Sequence, residues 1–380
     1  MPVLSTVITL NANEVYAAMS NMIISQEVFA DNIADGFSSL VDRARVDGGL
    51  YGDTKLFVST DILQSYQWTG DNEAANLLNV YRAPDPITQK IELNIFRQIP
   101  ITVDYYLTKR AWMGEGVFSA FTSVLLGWLR ETKRVYDQTL YNVFIGTNVA
   151  ADPSGKQSLS VNTNDDLVAS YDASTATTAE QESMNRLNAQ AIAVSIADLF
   201  IQLKKPSRDY NDLEFMRSYN RSDIEIVWNS HYVNSILKVD LPSIFHSEEV
   251  IKDLFKEENI LPPEYFGDLA ASGGTADGST HRATREMDFT VGGTTYHVFA
   301  GELIPAGATY NKEDCYVADA AIVCKIMHRR SVPLMSAFEV GTSFFNAKSL
   351  TENHYLTWGH NTLEHLAQYP YITVEVSQSF

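Results

Sequence analysis

The feature that most limits the folds open to this chain is one long amphipathic stretch, from Gly114 to Gly146. Apolar residues recur in it at steps of three and four, which predicts a helix of roughly 30 residues, about 45 Å long, with one face on a core. The apolar stripe consists of Phe118, Phe121, Leu125, Trp128, Thr132, Val135, Leu140 and Phe144. The opposite, solvent-facing side is predicted to carry Arg130, Glu131, Lys133, Arg134, Asp137 and Gln138.

Two glycines are expected to shape this helix. Gly146 stands where a C-terminal cap would end it. Gly127 lies in its middle, where glycine costs about 1 kcal/mol relative to alanine, so we expect a bend or the close approach of another backbone.

Size and charge narrow the class of protein. The chain has 380 residues, enough for two or three sub-domains, and a formal net charge of −19, which argues against a dedicated nucleic-acid binder. Its two cysteines, Cys315 and Cys324, are expected to be buried and unpaired, as in a reducing compartment. No signal peptide or apolar run of 18 residues is evident, so we expect a cytoplasmic protein that does not span a membrane.

Before the long helix, two strand-like runs predict an extended β hairpin. They are Lys55–Leu63 and Thr88–Tyr106. Pro100 inside the second run predicts an edge strand or a kinked one. In the second run Ile91, Leu93 and Ile95 alternate with Lys90, Glu92 and Asn94, so one face must be covered.

The remaining segments predict a mixture of helices and strands. An N-terminal strand over Val3–Leu10 and a helix over Asn13–Ile33 come first, and Asn148–Thr177 is an exposed loop. A capping box of Thr178 and Gln181 opens a second long helix, with Ile192, Ile196, Leu199 and Leu203 as its stripe. Further strands are predicted at Ile224–Trp228, Phe289–Phe299 (a hairpin), Cys315–Met327 and Tyr371–Val376, further helices at His231–Lys238 and Ser247–Lys256, and a flexible excursion at 271–285.

The sequence contains no pattern that predicts catalysis. It lacks the glycine-rich phosphate loops and the nucleophile elbow, so we predict no catalytic residue, no cofactor and no enzyme activity. His360, Glu364 and His365 resemble an inverted zinc motif, but Asn361 stands where a ligand is needed, so no metal site is predicted. His328, Arg329 and Arg330 are interpreted as a salt-bridging edge between subunits.

The order of these parts resembles the major capsid proteins of tailed bacteriophages with the Hong Kong 97 type fold. The most similar local text is the run Arg97–Val103, followed by Tyr106–Trp112 and then Phe118–Phe121, which looks like the extended E-loop entering the spine helix. The resemblance implies an α+β fold in five parts. These are an N-terminal arm (1–52), an E-loop hairpin (53–113), a peripheral domain (114–222) with a spine helix (116–146), an axial domain (223–345) and a return to the peripheral domain (346–380).

The resemblance also implies a function and partners. The chain would be a virion shell subunit that self-assembles, as hexamers and pentamers, into an icosahedral shell around double-stranded DNA in the bacterial host cytoplasm. Scaffolding and portal proteins would be partners, and DNA a weak, non-specific neighbour. The inter-subunit contacts would include Ile91, Leu93, Ile95, Arg97, Arg329 and Arg330. An encapsulin-type compartment shell is one alternative, and an enzyme or unrelated α/β binding protein is another.

Overall fold

The computed structural model describes residues 38–47, 54–67, 80–104, 115–233 and 259–377. Two long helices and two five-stranded sheets dominate this part of the chain. The helices are α1 (Ser38–Ala44), α2 (Glu115–Thr147), α3 (Thr178–Lys204) and the single turn α4 (Ser230–Tyr232). Short 3₁₀ helices lie at Asn164–Asp166, Arg221–Asp223, Pro263–Tyr265 and Lys312–Asp314.

The strands fall into two large sheets and three small ones. In chain order they are β1 (Arg45–Asp47), β2 (Thr54–Ser59), β3 (Ile87–Asp104), β4 (Ser158–Val161), β5 (Ile224–Asn229), β6 (Ile260–Leu261), β7 (Gly267–Leu269), β8 (Gly274–Thr275), β9 (His281–Ala283), β10 (Met287–Val291), β11 (Thr294–Val298), β12 (Thr309–Tyr310), β13 (Cys315–Ala318), β14 (Ile322–His328), β15 (Leu334–Asn346), β16 (Thr351–Asn361) and β17 (Tyr371–Val376).

The central sheet, in the order β4-β17-β14-β5-β6, lies between the two long helices. Its strands alternate, so one face packs against α3 through residues such as Trp228, Ile326 and Val374. The other face carries Val227 and Tyr371 and packs against the C-terminal part of α2. Both faces are therefore covered, which explains the nearly continuous apolar runs of β5 and β14.

A buried lysine joins the central sheet to the end of α2. Lys325 Nζ donates to Thr373 Oγ1 at 2.8 Å and to the Asn148 carbonyl, just beyond α2, at 3.2 Å. Burial lowers the pKa of this ammonium to about 8, against the opposing effect of Glu375. A positive charge at a helix C-terminus also complements the helix dipole.

The second large sheet has the order β1-β15-β16-β3-β2 and contains the predicted hairpin. Residues 87–92 of β3 pair with β2, and residues 93–104 pair antiparallel with β16. Pro100, opposite Tyr355, lies where β16 is the only described neighbour of β3, so the strand is locally an edge as predicted. The long β15–β16 hairpin was not predicted.

The long helix is confirmed, with corrections to its two faces. It spans 33 residues and ends one residue beyond the predicted cap. Trp128, predicted to be on the buried stripe, is 49% exposed. Lys133 and Asp137, predicted to face water, are both buried and form an ion pair at 2.9 Å. The side of α2 that periodicity predicts to face solvent is therefore covered at this point by the β15–β16 hairpin. Glu339 of this hairpin also pairs with Lys133.

Gly146 is not the C-terminal cap of α2 but a point of close backbone approach. It lies inside the helix, and a Cβ at this position would collide with the carbonyl group of Tyr265. Gly127 shows the opposite environment, because a Cβ there would meet nothing within 4 Å. The close approach expected at Gly127 is thus found at Gly146.

The second long helix is confirmed, with its start shifted by one residue. Thr177 is the N-cap, and its partner in the capping box is Glu180. The four predicted stripe residues, Ile192, Ile196, Leu199 and Leu203, are all buried, and the helix ends before Pro206. The predicted loop before it contains only the short strand β4 and one 3₁₀ turn.

Residues 271–285, predicted to be flexible, are held in regular structure. β8 pairs with β12, and β9 pairs with β13. Between them, Asp277 accepts backbone hydrogen bonds from Ser279 and Thr280, each at 2.9 Å. The hairpin predicted at 289–299 is confirmed as β10–β11, with Gly292 and Gly293 both at positive φ in its turn.

The last strand, β17, is confirmed with its predicted bounds, and Ile224–Trp228 is confirmed within β5. The single strand predicted at Cys315–Met327 is two strands, β13 and β14. Several predictions lie outside the described residues. They concern Val3–Leu10, Asn13–Ile33, Ser247–Lys256 and most of His231–Lys238.

Candidate assembly surfaces

The buried face of the hairpin belongs to the subunit's own core. Leu93 is 3% exposed and clusters with Met335 and Ala337 of β15, with Phe96 against them. Ile91 is equally buried, and Ile95 is half-buried. Ile91 and Leu93 are therefore not available to a neighbouring subunit, which corrects the contact predicted for them. Alternation thus predicts correctly that this face is covered, and β15 of the same chain covers Leu93.

The surface that the hairpin leaves free is a different apolar set. Leu56 and Val58 are exposed on the same face of β2, which is the edge strand of its sheet. More exposed apolar side chains follow in the segment beyond β2, in the segment before β3 and at the first residue of β3. They are Ile62, Leu63, Tyr66, Val80, Tyr81 and Ile87. A set of this size on one projection is typical of an interaction surface.

The end of β2 is anchored to the body by polar contacts. Asp61 accepts a hydrogen bond from the Met216 amide at 2.9 Å and pairs with Arg208 at 2.6 Å. Arg217 donates to the Thr60 carbonyl. The amide donors and Arg208 together lower the pKa of the Asp61 carboxyl against the opposing effect of burial. The segment that follows β2 in the hairpin is therefore held in place on the body of the subunit.

Arg97 joins β3 to two other parts of the subunit. Its guanidinium lies over the Tyr136 ring, 5.0 Å from the centroid, and donates to the Glu286 carbonyl at 2.9 Å. Tyr136 OH is also 2.8 Å from His360 Nε2. His360 Nδ1 lies 2.9 Å from the Asn361 carbonyl, so Nδ1 carries the proton and Nε2 accepts from Tyr136. Arg97, predicted as an inter-subunit residue, has internal partners.

The two other predicted contact arginines lie at the surface. Arg329 pairs with Asp223 at 3.3 Å and donates to the Ser222 carbonyl. Arg330 is exposed, and its amide donates to His328 Nδ1 at 3.1 Å. The His328 ring stacks on Tyr369, with 4.1 Å between ring centroids, and burial lowers its pKa to about 4. This edge remains a predicted inter-subunit surface.

Further exposed apolar side chains lie near the other end of the same sheet, on α2 and on β15. Trp128 on α2 and Val340, Phe344 and Phe345 on β15 are exposed. Between α2 and the β15–β16 hairpin runs a groove of about 300 Å³, lined by Leu126, Leu129 and Leu356 and by the polar residues Arg130, Glu339 and His354. Sequence periodicity missed this surface because it assigned Trp128 to the core.

The described residues contain no group of histidine, cysteine, aspartate and glutamate that could hold a metal ion. His360 binds Tyr136, and His365 Nε2 lies 2.9 Å from Asp212, so the resemblance to a zinc motif does not produce a common site. Both cysteines are buried, and burial raises the pKa of the Cys315 thiol to about 11. Among the helices described, none is long and apolar enough to cross a membrane.

Comparison with known protein families and solved structures provides evidence that does not depend on the surfaces described above. The family model for the Phi29-like phage major capsid protein matches residues 5–362. A chain from the capsid structure of Staphylococcus phage Andhra is 11% identical, with a TM-score of 0.62, and the match covers 94% of this chain and 88% of that one. A chain from the structure of the head fiber and inner core protein gp22 of native bacteriophage P68 gives 11% identity, a TM-score of 0.58 and coverages of 93% and 88%.

A third similar chain comes from the asymmetric unit of the bacteriophage PhiM1 mature capsid, with 7% identity, a TM-score of 0.51 and coverages of 94% and 92%. At these identities the structures show a likeness of fold alone. No curated protein sequence matches the chain.

Proposed function

Because this chain belongs to the Phi29-like phage major capsid protein family, we propose that its copies close into the icosahedral shell that encloses the phage's double-stranded DNA. It is a major capsid protein and therefore a structural component of the virion. The family is one of phage capsid proteins, so the encapsulin alternative has no support. The shell would be assembled in the bacterial host cytoplasm, with scaffolding and portal proteins as partners.

We propose the Hong Kong 97 type arrangement for its sub-domains, with two adjustments. The arm (1–52), the E-loop hairpin (53–113) and the spine helix, α2, keep their proposed roles. The predicted boundary at 345, between the axial domain and the return to the peripheral domain, would separate β15 from β16. These two strands pair from Ser336 to Asn346, so we place the end of the axial domain before Leu334. α3 packs on β5, β14 and β17 and is therefore grouped with the central sheet.

The observation that supports self-assembly most directly is the presence of two separate apolar surfaces on one subunit. One is the free set on the hairpin, beginning with Leu56 and Val58, and the other comprises the exposed apolar residues of α2 and β15, among them Trp128 and Phe344. When two different patches of one protein bind each other, the contact is heterologous and generates rings or open arrays. Obligate contacts of this kind bury about 2,000–5,000 Å² in total.

We therefore propose that the hairpin of one subunit covers the Trp128 surface of the next. The hairpin is the inter-subunit clamp, as the sequence suggested, but its exposed face makes the contact. Arg329 and Arg330 contribute a second, polar contact. Ile95 and Arg97 lie at the base of the clamp and set its direction.

Electron microscopy of the overexpressed protein tests the proposal. We expect closed shells or tubes, and a monodisperse monomer with a defined small-ligand pocket would support an enzyme or binding protein instead. Leu56→Asp with Val58→Asp should abolish assembly while leaving circular dichroism unchanged, because the new charges would be buried without partners. The matched control, Leu56→Met with Val58→Ile, should assemble. Normal assembly of the aspartate variant would show that the exposed face of the hairpin does not make the contact.

A further inference from the structure

The outer face of α3 carries an apolar line that the described part of the subunit leaves exposed. Leu187, Val194 and Ile201 are 41%, 56% and 70% exposed. They lie on the side of the helix opposite the buried stripe, which faces the central sheet through Ile192 and Ile196. Packing among the described residues therefore gives no reason for apolar side chains at these three positions.

The spacing of the three residues is seven, which is two helical turns. Residues at this spacing form a nearly straight line along a helix, and a line of this kind is the seam by which one helix packs on another. Single exposed apolar residues are ordinary on protein surfaces. Three in register, with the small residues Ala191 and Ala197 between them, match a helical partner better than a flat or globular one.

The seam is symmetric about its central residue. Leu187 and Ile201 are each seven residues from Val194, and Ala191 and Ala197 are each three residues from it. If a second α3 lies antiparallel, with the two copies of Val194 opposite each other, each Leu187 meets an Ile201 and each Ala191 meets an Ala197. The large apolar residues then face each other, and Gln190 of one copy meets Asp198 of the other, to which its side-chain amide can donate a hydrogen bond.

The charges at the two ends of α3 select the same orientation. Glu180 and Glu182 are exposed in the first turns, whereas Lys204 and Lys205 are exposed at the end. In an antiparallel pair the acidic end of one helix lies beside the basic end of the other, and the helix dipoles are opposed. A parallel pair would place like charges together.

We propose that α3 binds α3 of a second copy of this chain, antiparallel and centred on Val194, at a two-fold contact between subunits of the shell. The inference rests on the proposed function, because a shell supplies many copies at once. Three apolar side chains on each helix fall short of the roughly 1,000 Å² that a lasting dimer buries. The contact is therefore expected to form in assembled particles, where other contacts raise the effective concentration.

Cysteine cross-linking in purified particles tests the pairing. Particles of Val194→Cys should give a covalent dimer with a bis-maleimide shorter than one helix diameter, about 10 Å. Gln202→Cys, exposed on the same helix but eight residues from the centre of the pair, should give none. The native cysteines are buried, so wild-type particles show the background.

A co-assembly experiment tests the direction of the pair. Leu187→Cys particles should not cross-link, because antiparallel pairing separates the two copies of position 187 by 14 residues, about 21 Å. Mixed particles of Leu187→Cys and Ile201→Cys should cross-link. Dimers in the Leu187→Cys particles alone would overturn the antiparallel arrangement.

Wild-type particles allow a test without substitution. Zero-length coupling of carboxylates to amines should join Glu180 or Glu182 to Lys205, and the product should appear by mass spectrometry. Within one chain these residues are over 20 positions apart on one helix, about 35 Å, so only a second copy can supply the partner. Closed particles that lack both this product and the Val194→Cys dimer would overturn the pairing and leave the proposed function intact. Failure to form particles at all counts against the proposed function.

Discussion

Lys133 Nζ lies 2.9 Å from the Asp137 carboxylate on the next turn of α2, and both side chains are buried beneath β15. Arg45 reaches the same carboxylate at 3.4 Å. The pair thus stands at a junction of α2, β1 and β15. Breaking a buried pair leaves an uncompensated charge, which costs more than the pair itself contributes.

We expect Lys133→Met to lower the free energy of unfolding by about 2–3 kcal/mol, because Arg45 only partly compensates Asp137. The double variant Lys133→Met with Asp137→Leu should recover most of this loss. The control is Lys90→Met, which removes an exposed pair with Glu92 and should change stability by less than about 1 kcal/mol. Urea unfolding of unassembled subunits measures all three. Equal effects of Lys133→Met and Lys90→Met would contradict the buried arrangement.

Two glycines of α2 should respond to alanine with opposite sign. Gly127→Ala should stabilise the subunit by up to about 1 kcal/mol, because the site is open and alanine is the better helix former. Gly146→Ala should destabilise it by about 1–3 kcal/mol, since its Cβ collides with the Tyr265 backbone. Thermal unfolding measures both variants. A Gly146→Ala subunit as stable as the parent would mean that α2 and the 263–265 turn are not in contact.

Trp128 and Ile145 should separate assembly from subunit stability. Ile145→Ala should lower the free energy of unfolding by about 2–5 kcal/mol, because Ile145 is fully buried. Trp128→Ala should change it by less than about 1 kcal/mol, as expected for an exposed side chain away from the core. Its effect should appear in particle yield. Large destabilisation of the unassembled Trp128→Ala subunit would show that Trp128 packs in the core, as the helical periodicity predicts.

Acid should destabilise the subunit partly through His328. Burial lowers its pKa from 6.5 to about 4, so between these values the unfolded chain binds the proton more readily. The contribution is complete above pH 6.5 and is lost as the pH falls through about 4. His328→Phe keeps an aromatic ring on Tyr369 but cannot titrate, so its stability should fall less steeply over this range. Identical pH profiles for parent and variant would exclude the histidine as a contributor.

The acidic surface predicts weak contact with the packaged genome. With a net charge of −19, the unassembled subunit should bind duplex DNA no more tightly than micromolar at physiological salt. Fluorescence anisotropy across a salt series measures this. Sub-micromolar affinity with a steep salt dependence would show a concentrated basic surface that the net charge conceals.

The sequence predicted those elements whose pattern is local. The stripe of α3 repeats at helical spacing, and Phe289–Phe299 carries its turn glycines between alternating residues. The β15–β16 hairpin could not be predicted from alternation, because exposed apolar residues such as Phe344 interrupt the pattern of a half-buried strand.

Burial of polar residues was harder to predict, because it depends on which distant element covers them. Lys133 and Asp137 are four residues apart, a spacing that indicates a helical ion pair. Whether the pair is buried depends on β15, which covers it. The same ambiguity applies to Leu93. Alternation predicts that its face is covered, but Met335 shows that the cover is in the same chain.

The continuity of β3 has a mechanical consequence. Its 18 residues form one strand, with the first third paired to β2 in the hairpin and the rest paired to β16 beneath the long helix, and the pairing with β16 shifts register between Leu93 and Ile95. A paired strand cannot slip by one residue without turning every side chain to the wrong face. Force applied to the hairpin would therefore be carried as tension along a single backbone into the part of the sheet that lies beneath α2. A change in the direction of the hairpin would be absorbed at this register shift, because a β-bulge bends its strand locally.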